Sequence, residues 1–470
     1  MKKILIILMT FLVIASCTKL EDLNKDIKNP TEVPAVTLFS AAQKSFSDQI
    51  ASTNVNMNVF KLWAQYWTET TYTDEANYDI INRTIADNAW REWYRDVLVD
   101  LKQAAIVINA TEYATDEEAA DAANQLQIIE IMNVFVYERM VTLWGNIPYT
   151  EALDIENITP VYDDAATIYT DLLARLNAAI AGLKPANGSF GSADLIYHGD
   201  VASWLKFANT LKLKMGITVA DAGIVVSALE AGVFTSNADN AEFAYLSSPP
   251  NTNPLYVDLT LSGRQDFIGT TIITNYLNPL EDPRRPAYFT LAPDTNVYLG
   301  GVYGASNPYS GFSHVADALA KDPTFPCLIL SYVEAEFYQA EAAAKGFTND
   351  LPEDHYNAGI TASFDYWGID GVADYLAKPE VAYATATGDW KQKIATQAWI
   401  AYYNNGYLGW TVWRRLGHPL LDPPPGMTQA DIPLRFTYPV FEQTLNGANY
   451  TAAASAIGGD LMSTRLWYLK

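Results

Sequence analysis

The side chains able to do chemistry in this 470-residue chain are overwhelmingly carboxylates. There are 54 Asp and Glu against 30 Lys and Arg, with four His and two Cys. A pair of carboxyls flanking one bond is the machinery of glycoside hydrolysis. Nothing in the spacing singles out such a pair, and carboxylates at this density belong mainly to a solvated surface. Four scattered His and two Cys leave little for a metal centre. No His-Glu-x-x-His, Gly-x-Ser-x-Gly, Walker-type glycine loop or EF-hand loop occurs. Gly300-Gly301-Val302-Tyr303-Gly304 departs from the dinucleotide fingerprint. We therefore expect no enzyme, no cofactor and no metal. A net charge of −24 repels phosphate backbones and argues against a nucleic-acid partner.

Aromatic side chains carry the chemistry that remains. The chain holds 12 Trp, 29 Tyr and 18 Phe, and some of these must be core. Trp90, Trp204 and Trp399 fall on helical stripes. Others lie among Gly, Asn and Ser in segments without helical periodicity. Two patches stand out as ligand-binding candidates: Trp67, Tyr72 and Tyr78, and Tyr298, Tyr303 and Tyr309 with Arg264 and Asp266 as polar partners. A ring face packs against the C–H face of a sugar while amides and carboxylates bond its hydroxyls. The competing role for each tyrosine is to pin a long loop to the scaffold. Three rings at roughly 0.5–1.5 kcal/mol each give about 2–4 kcal/mol, near millimolar affinity. That suits capture and hand-over better than storage.

These patches need a scaffold, and the scaffold reads as helical. Apolar stripes with helical spacing predict helices over Val36–Ile50, Asn56–Thr68, Asp87–Ala110 and Glu117–Leu143, the last capped by Asp116. Further helices open at Asp163 or Asp164 and at Asp200, and run over Leu330–Lys345, Glu353–Tyr366 and Trp390–Asn404. From about Ser236 to Pro326 the periodicity vanishes, and a long irregular stretch in a compact protein is commonly functional. The expected fold is all-α: a single large helical domain, residues 35–470, with tetratricopeptide-like helix pairs and long loop excursions forming a ligand face.

The N-terminus reads as a targeting segment. Lys2 and Lys3 precede an apolar run, Ile4 to Ile14. Eleven helical residues span about 16 Å, short of a hydrocarbon core of about 30 Å, so residues 1–16 are read as a secretory signal. Leu12-Val13-Ile14-Ala15-Ser16-Cys17 looks like a bacterial lipobox. Cys17 is then the expected lipid-attachment residue and 17–34 a lipidated tether.

At this point the chain resembles a family. Trp144-Gly-Asn-Ile-Pro-Tyr-Thr-Glu-Ala152 is similar to the Trp-Gly-x-Val-Pro-Tyr signature of SusD-like (SusD/RagB) outer-membrane lipoproteins of Bacteroidetes. In the family's order follow Asp194–Asp200 with Trp204–Leu213, Asp282-Pro-Arg284, and the alanine-rich Ser331–Ala342. Ile394–Ile400, Trp413-Arg-Arg415, and Ile432–Pro439 with Glu442 and Asn446 complete it. His198 stands where the family often has Gly, and Lys212 and Lys214 where Arg is common. The resemblance implies a helical fold of four tetratricopeptide-like pairs with a loop-rich ligand face. It also implies pairing with a SusC-like TonB-dependent transporter at the cell surface, held to the outer membrane by the lipid anchor. The implied role is capture of oligo- or polysaccharide, here a neutral glycan, for delivery to that transporter. The alternative is the same architecture capturing oligopeptides.

Overall fold

The computed structural model describes residues 33–470. The expected signal peptide, the expected lipid-attachment residue Cys17 and nearly all of the expected tether lie outside them. Eleven longer helices frame the described part: α1 (Ala35–Ala51), α2 (Val99–Ala110), α3 (Asp116–Trp144), α4 (Ala165–Gly182), α5 (Val201–Val219), α6 (Ala222–Ala231), α7 (Tyr332–Ala344), α8 (Pro352–Trp367), α9 (Trp390–Ala401), α10 (Gly406–Leu416) and α11 (Gly447–Ile457). Local sequence explains their starts. Asp164, Asp200, Asp221 and Asp389 each accept a hydrogen bond from a backbone N–H of the first turn. Capping boxes open α3 and α7 through Thr115–Glu118 and Ser331–Glu334. The cap of α3 is thus Thr115, and Asp116 is its first helical residue.

The helices pack as successive pairs, α3 on α4, α5 on α6, α7 on α8 and α9 on α10, with α7 also touching α5 and α9. α1 lies against α2 and the turns that precede it. That preceding segment departs from expectation. Asp87–Ala110 is helical throughout, but Glu92–Leu98 is wound as a π-helix between two α-helical stretches. The expected helix Asn56–Thr68 is corrected more strongly. Only Phe60–Trp63 turns helically, and Trp67–Glu69 forms strand β1. Two-stranded antiparallel pairs supply the rest of the sheet: β1 with β5 (Phe267–Gly269), β2 (Ile147–Pro148) with β3 (Tyr162–Asp163), and β4 (Ala241–Phe243) with β6 (Cys327–Leu330).

The core is aromatic. Trp63 stands 5.3 Å from Trp410 and 5.1 Å from Phe436, and Trp144 is 5.8 Å from Phe436 and 5.7 Å from Trp93, centroid to centroid. This cluster joins sequence motifs that are far apart. Trp144 Nε1 donates to Thr437 O at 3.1 Å, and Arg435 Nη2 donates back to Trp144 O at 3.0 Å. Gly145 follows with φ +90°, and a Cβ there would stand 2.9 Å from Leu466 Cδ2. Asp194 is fully buried and accepts from Trp204 Nε1 at 2.7 Å, from Gln43 Nε2 at 2.9 Å and from three backbone N–H groups of the turn ahead of α5. Asp282 and Arg284, both fully buried, form an ion pair at 2.7 Å. Tyr375 OH and Ser363 Oγ satisfy more of the guanidinium.

Candidate functional site

β1 is the hub on which three long loops converge. Its register sets Trp67 opposite Gly269, Thr68 opposite Ile268 and Glu69 opposite Phe267. The pairing runs on past the strand, with Thr70 N donating to Asp266 O at 2.9 Å and Thr70 Oγ1 to Gln265 O at 2.7 Å. On the other side Asn307 N donates to Thr70 O at 2.9 Å, and Gly304 N to Thr68 Oγ1 at 3.1 Å. Asn307 is itself buried and clamps the turn 302–307. Its amide donates to Val302 O and Ala305 O, and its carbonyl accepts from Val302 N. The segments 70–84, 262–266 and 301–309 are thereby fixed around one strand. Two residues of the first, Tyr78 (φ +66°) and Thr84 (φ +52°), lie in the left-handed region, uncommon for side chains of their size.

Two adjoining clefts open between these loops. One, of about 410 Å³, is lined by 53–56, Glu69, Thr71, Tyr72, Glu75, Arg83, Asp258, Ser262, Arg264, Asp266 and Phe267. The other, of about 490 Å³, is lined by Thr70–Tyr72, Gln265, Asp266, Ser306, Asn307, Pro308 and Tyr309. Thr71, Tyr72 and Asp266 belong to both. Tyr72 is 68% exposed and stands at the waist. Arg264 Nε bonds Asp266 Oδ2. Tyr309, half-buried, stacks face to face on His314 with centroids 3.7 Å apart.

The two expected patches therefore merge, and not all of their members reach the surface. Tyr72, Arg264, Asp266 and Tyr309 come together. Trp67, Tyr78 and Tyr303 are corrected to core, being only 1%, 3% and 2% exposed. Trp67 Nε1 donates to Tyr403 OH at 2.8 Å, and its ring lies 5.8 Å from Phe267. Tyr78 and Tyr303 pack on each other at 6.2 Å, with Trp63 behind at 6.3 Å. The loops they anchor must be pinned by something large, and these rings do it. Tyr298 is half-buried and borders neither cleft; its ring lies 5.3 Å from the Arg285 guanidinium.

Several lining groups escaped sequence reading. Asp258 sits on a π-helical turn, Val257–Leu261, and its carboxylate accepts from Thr53 N at 3.2 Å and Thr53 Oγ1 at 3.3 Å. Burial raises its proton affinity, and the two Thr53 bonds oppose the rise. Glu69 and Glu75 are buried side by side, with Ala76 N donating to Glu69 Oε2 at 3.0 Å and Arg83 Nε 3.2 Å from Glu75 Oε1. Burial, and then the hydrogen bond with Glu75, push the Glu69 carboxyl up to about 9. That rise favours the neutral, protonated form of the Glu69 carboxyl. A chain with 54 carboxylates offers no spacing by which such a pair could be found. Among the described residues no group of three or more His, Cys, Asp or Glu is placed to hold a metal ion.

The arrangement offers one exposed ring between two open clefts, walled by carboxylates, amides and hydroxyls. A family model described as "Starch-binding associating with outer membrane" matches residues 27–439. The chain belongs to the SusD-like family. Among solved structures, it is similar to a chitin-binding protein at 25% identity, with a TM-score of 0.79 over 92% of this chain and 99% of that one. A SusD homologue from Bacteroides uniformis matches at 25% identity and TM-score 0.78, with the same coverage. A SusD-like protein from Bacteroides thetaiotaomicron matches at 26% and 0.76, over 93% and 98%. None of the curated proteins compared with the chain matches it. The family is thus one described as starch-binding and associated with the outer membrane, and no helix among the described residues of this SusD-like protein is long and apolar enough to cross a membrane.

Proposed function

We propose that this SusD-like protein captures a neutral oligosaccharide across the paired clefts and delivers it to a SusC-like TonB-dependent transporter, without cleaving it. In this reading it is held at the cell surface by lipid on Cys17. The carrying observation is the placement of Tyr72: a ring 68% exposed at the waist of two clefts, with Asp266 bordering both. A sugar ring stacks on Tyr72 while Asp266, Gln265 and Ser262 meet hydroxyls, and Tyr309 offers a second apolar face. Two rings contribute about 1–3 kcal/mol, and the balance comes from hydrogen bonds, about 1.5–3 kcal/mol to the charged Asp266 and about 0.5–1.5 kcal/mol to each neutral group. The sum is consistent with high-micromolar to millimolar binding. The carboxylate-rich wall disfavours polyanionic glycans. The similarity to a chitin-binding protein supports a glycan ligand.

The test is calorimetric titration of residues 18–470 with neutral α- and β-glucans, fructans, mannans and chitin oligosaccharides, an acidic glycan and mixed oligopeptides, with product analysis for hydrolysis. Binding of a neutral glycan, lost in Tyr72→Ala and without products, supports the proposal. Binding of peptides alone would replace it with peptide capture, and hydrolysis would refute the non-enzymatic role.

A further inference from the structure

The two most exposed large apolar side chains among the described residues are Ile155, at 88%, and Ile158, at 84%. Both lie on the loop 151–161 that joins β2 to β3. Val161 on the same loop is 41% exposed. Leu445, at 68%, ends the helical turn Glu442–Leu445 that packs alongside. A flexible loop could display such residues by accident, but this one is tied down. The Glu151 carboxylate accepts from Asn157 Nδ2 at 2.9 Å and from Val161 N at 3.1 Å. Asn446 Nδ2 donates to Pro160 O at 2.8 Å and Asn449 Nδ2 to Thr159 O at 3.0 Å. At its end, Tyr162 OH donates to Glu442 Oε2 at 2.7 Å, and the Asp163 carboxylate accepts from Tyr149 N and Thr150 N. The isoleucines are thus held in water by a built frame, and ordered exposed apolar clusters of this kind mark contact sites.

The charges around them say what the contact must look like. Between 151 and 164 the chain carries Glu151, Asp154, Glu156, Asp163 and Asp164 and no Lys or Arg. A basic group does meet the loop's backbone: Lys102 Nζ donates to Leu153 O at 2.6 Å. A symmetric contact with a second copy would set this acidic rim against itself, and an anionic lipid surface would be repelled. We propose that this face docks a protein partner whose surface offers apolar sockets inside a rim of Lys and Arg. Four side chains are too few for a whole interface, and they act as its anchor cluster. The face shares no residue with the ligand clefts, so the inference stands independently of the glycan reading.

The test places the photoreactive residue p-benzoylphenylalanine at position 158 of the full-length chain, in the cells that make it. The expected result is one protein adduct whose cross-linked peptide is flanked by Lys or Arg, its yield falling at least fivefold in Glu156→Lys. The double change Ile155→Ser and Ile158→Ser should lower co-purification of that same partner at least tenfold, while Tm and ligand affinity stay unchanged. An adduct only to lipid or to a second copy would overturn the proposal. So would an acidic partner peptide, a yield indifferent to Glu156→Lys, the absence of any adduct, or a double variant that loses several degrees of Tm.

Discussion

Glu69→Gln is expected to stabilise this protein at neutral pH although it alters a buried residue next to the ligand cleft. In the unfolded chain the Glu69 carboxyl titrates near 4.5, and in the fold it is pushed up to about 9 by burial and by Glu75. Between those values the folded state holds a proton that the unfolded state has released. Stability therefore falls as pH rises through that window, and the contribution is most favourable below the unfolded value. At pH 7 the window has been climbed by about 2.5 units, worth about 3 kcal/mol at 1.36 kcal/mol per unit. Glutamine is isosteric and carries its donor permanently. Its carbonyl keeps the bond from Ala76 N, and its amide donates to Glu75 without taking up a proton. Allowing about 1 kcal/mol for the second amide hydrogen left buried, the net gain is about 2 kcal/mol at pH 7, larger at pH 8, and near zero or slightly negative at pH 4.5. With unfolding entropy of about 2.1 cal/mol/K per residue over this length, 2 kcal/mol raises Tm by about 2 °C. Calorimetric scans of both proteins at pH 4.5, 6, 7 and 8 read the difference directly. Parallel profiles, with the variant less stable at every pH, would show that Glu69 is ionised in the fold and would refute this reasoning.

The other expectations divide surface from core. Tyr72→Ala should weaken ligand binding about 2- to 10-fold, the loss of one ring at roughly 0.5–1.5 kcal/mol, with Tm unchanged because the ring is exposed; calorimetric titration and a thermal scan check both. Tyr303→Ala should instead cost about 3–5 kcal/mol of stability, seen as a markedly lowered denaturation midpoint, because its ring is buried against Tyr78. Burial alone would raise the Asp282 carboxyl, but Arg284 holds it below its usual range. Removing that charge in Asp282→Asn leaves the buried guanidinium uncompensated and should cost about 3–5 kcal/mol, read by denaturant titration. The hydrogen bond from His355 Nδ1 to Glu336 Oε2, at 2.7 Å, raises the imidazole above 6.5. Its stabilisation is complete below 6.5 and is lost as pH rises through the folded value, so wild type minus His355→Gln stability should shrink from pH 6 to pH 8.

What could be read in the sequence, and what could not, follows the range of the interactions involved. Helix starts announce themselves within four residues, because a cap is a contact between a side chain and the next turn. Asp164 and Asp200 were legible for that reason. Phe60–Glu69 misled because its apolar spacing suits a helix, and its real partners are distant. Tyr66 OH donates to Trp399 O, Trp67 Nε1 to Tyr403, and β1 pairs with β5 some two hundred residues on. The aromatic patches show the same limit in a form that bears on function. A tyrosine among Gly and Asn looks alike whether its ring faces a ligand or plugs the underside of the loop. Tyr72 and Tyr303 were indistinguishable by composition, and only the fold separates a ring 68% exposed from one 2% exposed. The site needs both kinds. Three loops meeting on a three-residue strand have little ladder to hold them, so the buried rings of Trp67, Tyr78 and Tyr303, with the Asn307 clamp, supply the rigidity. That rigidity lets Tyr72 stand in water at a fixed place, so that little ordering cost remains when a ligand arrives.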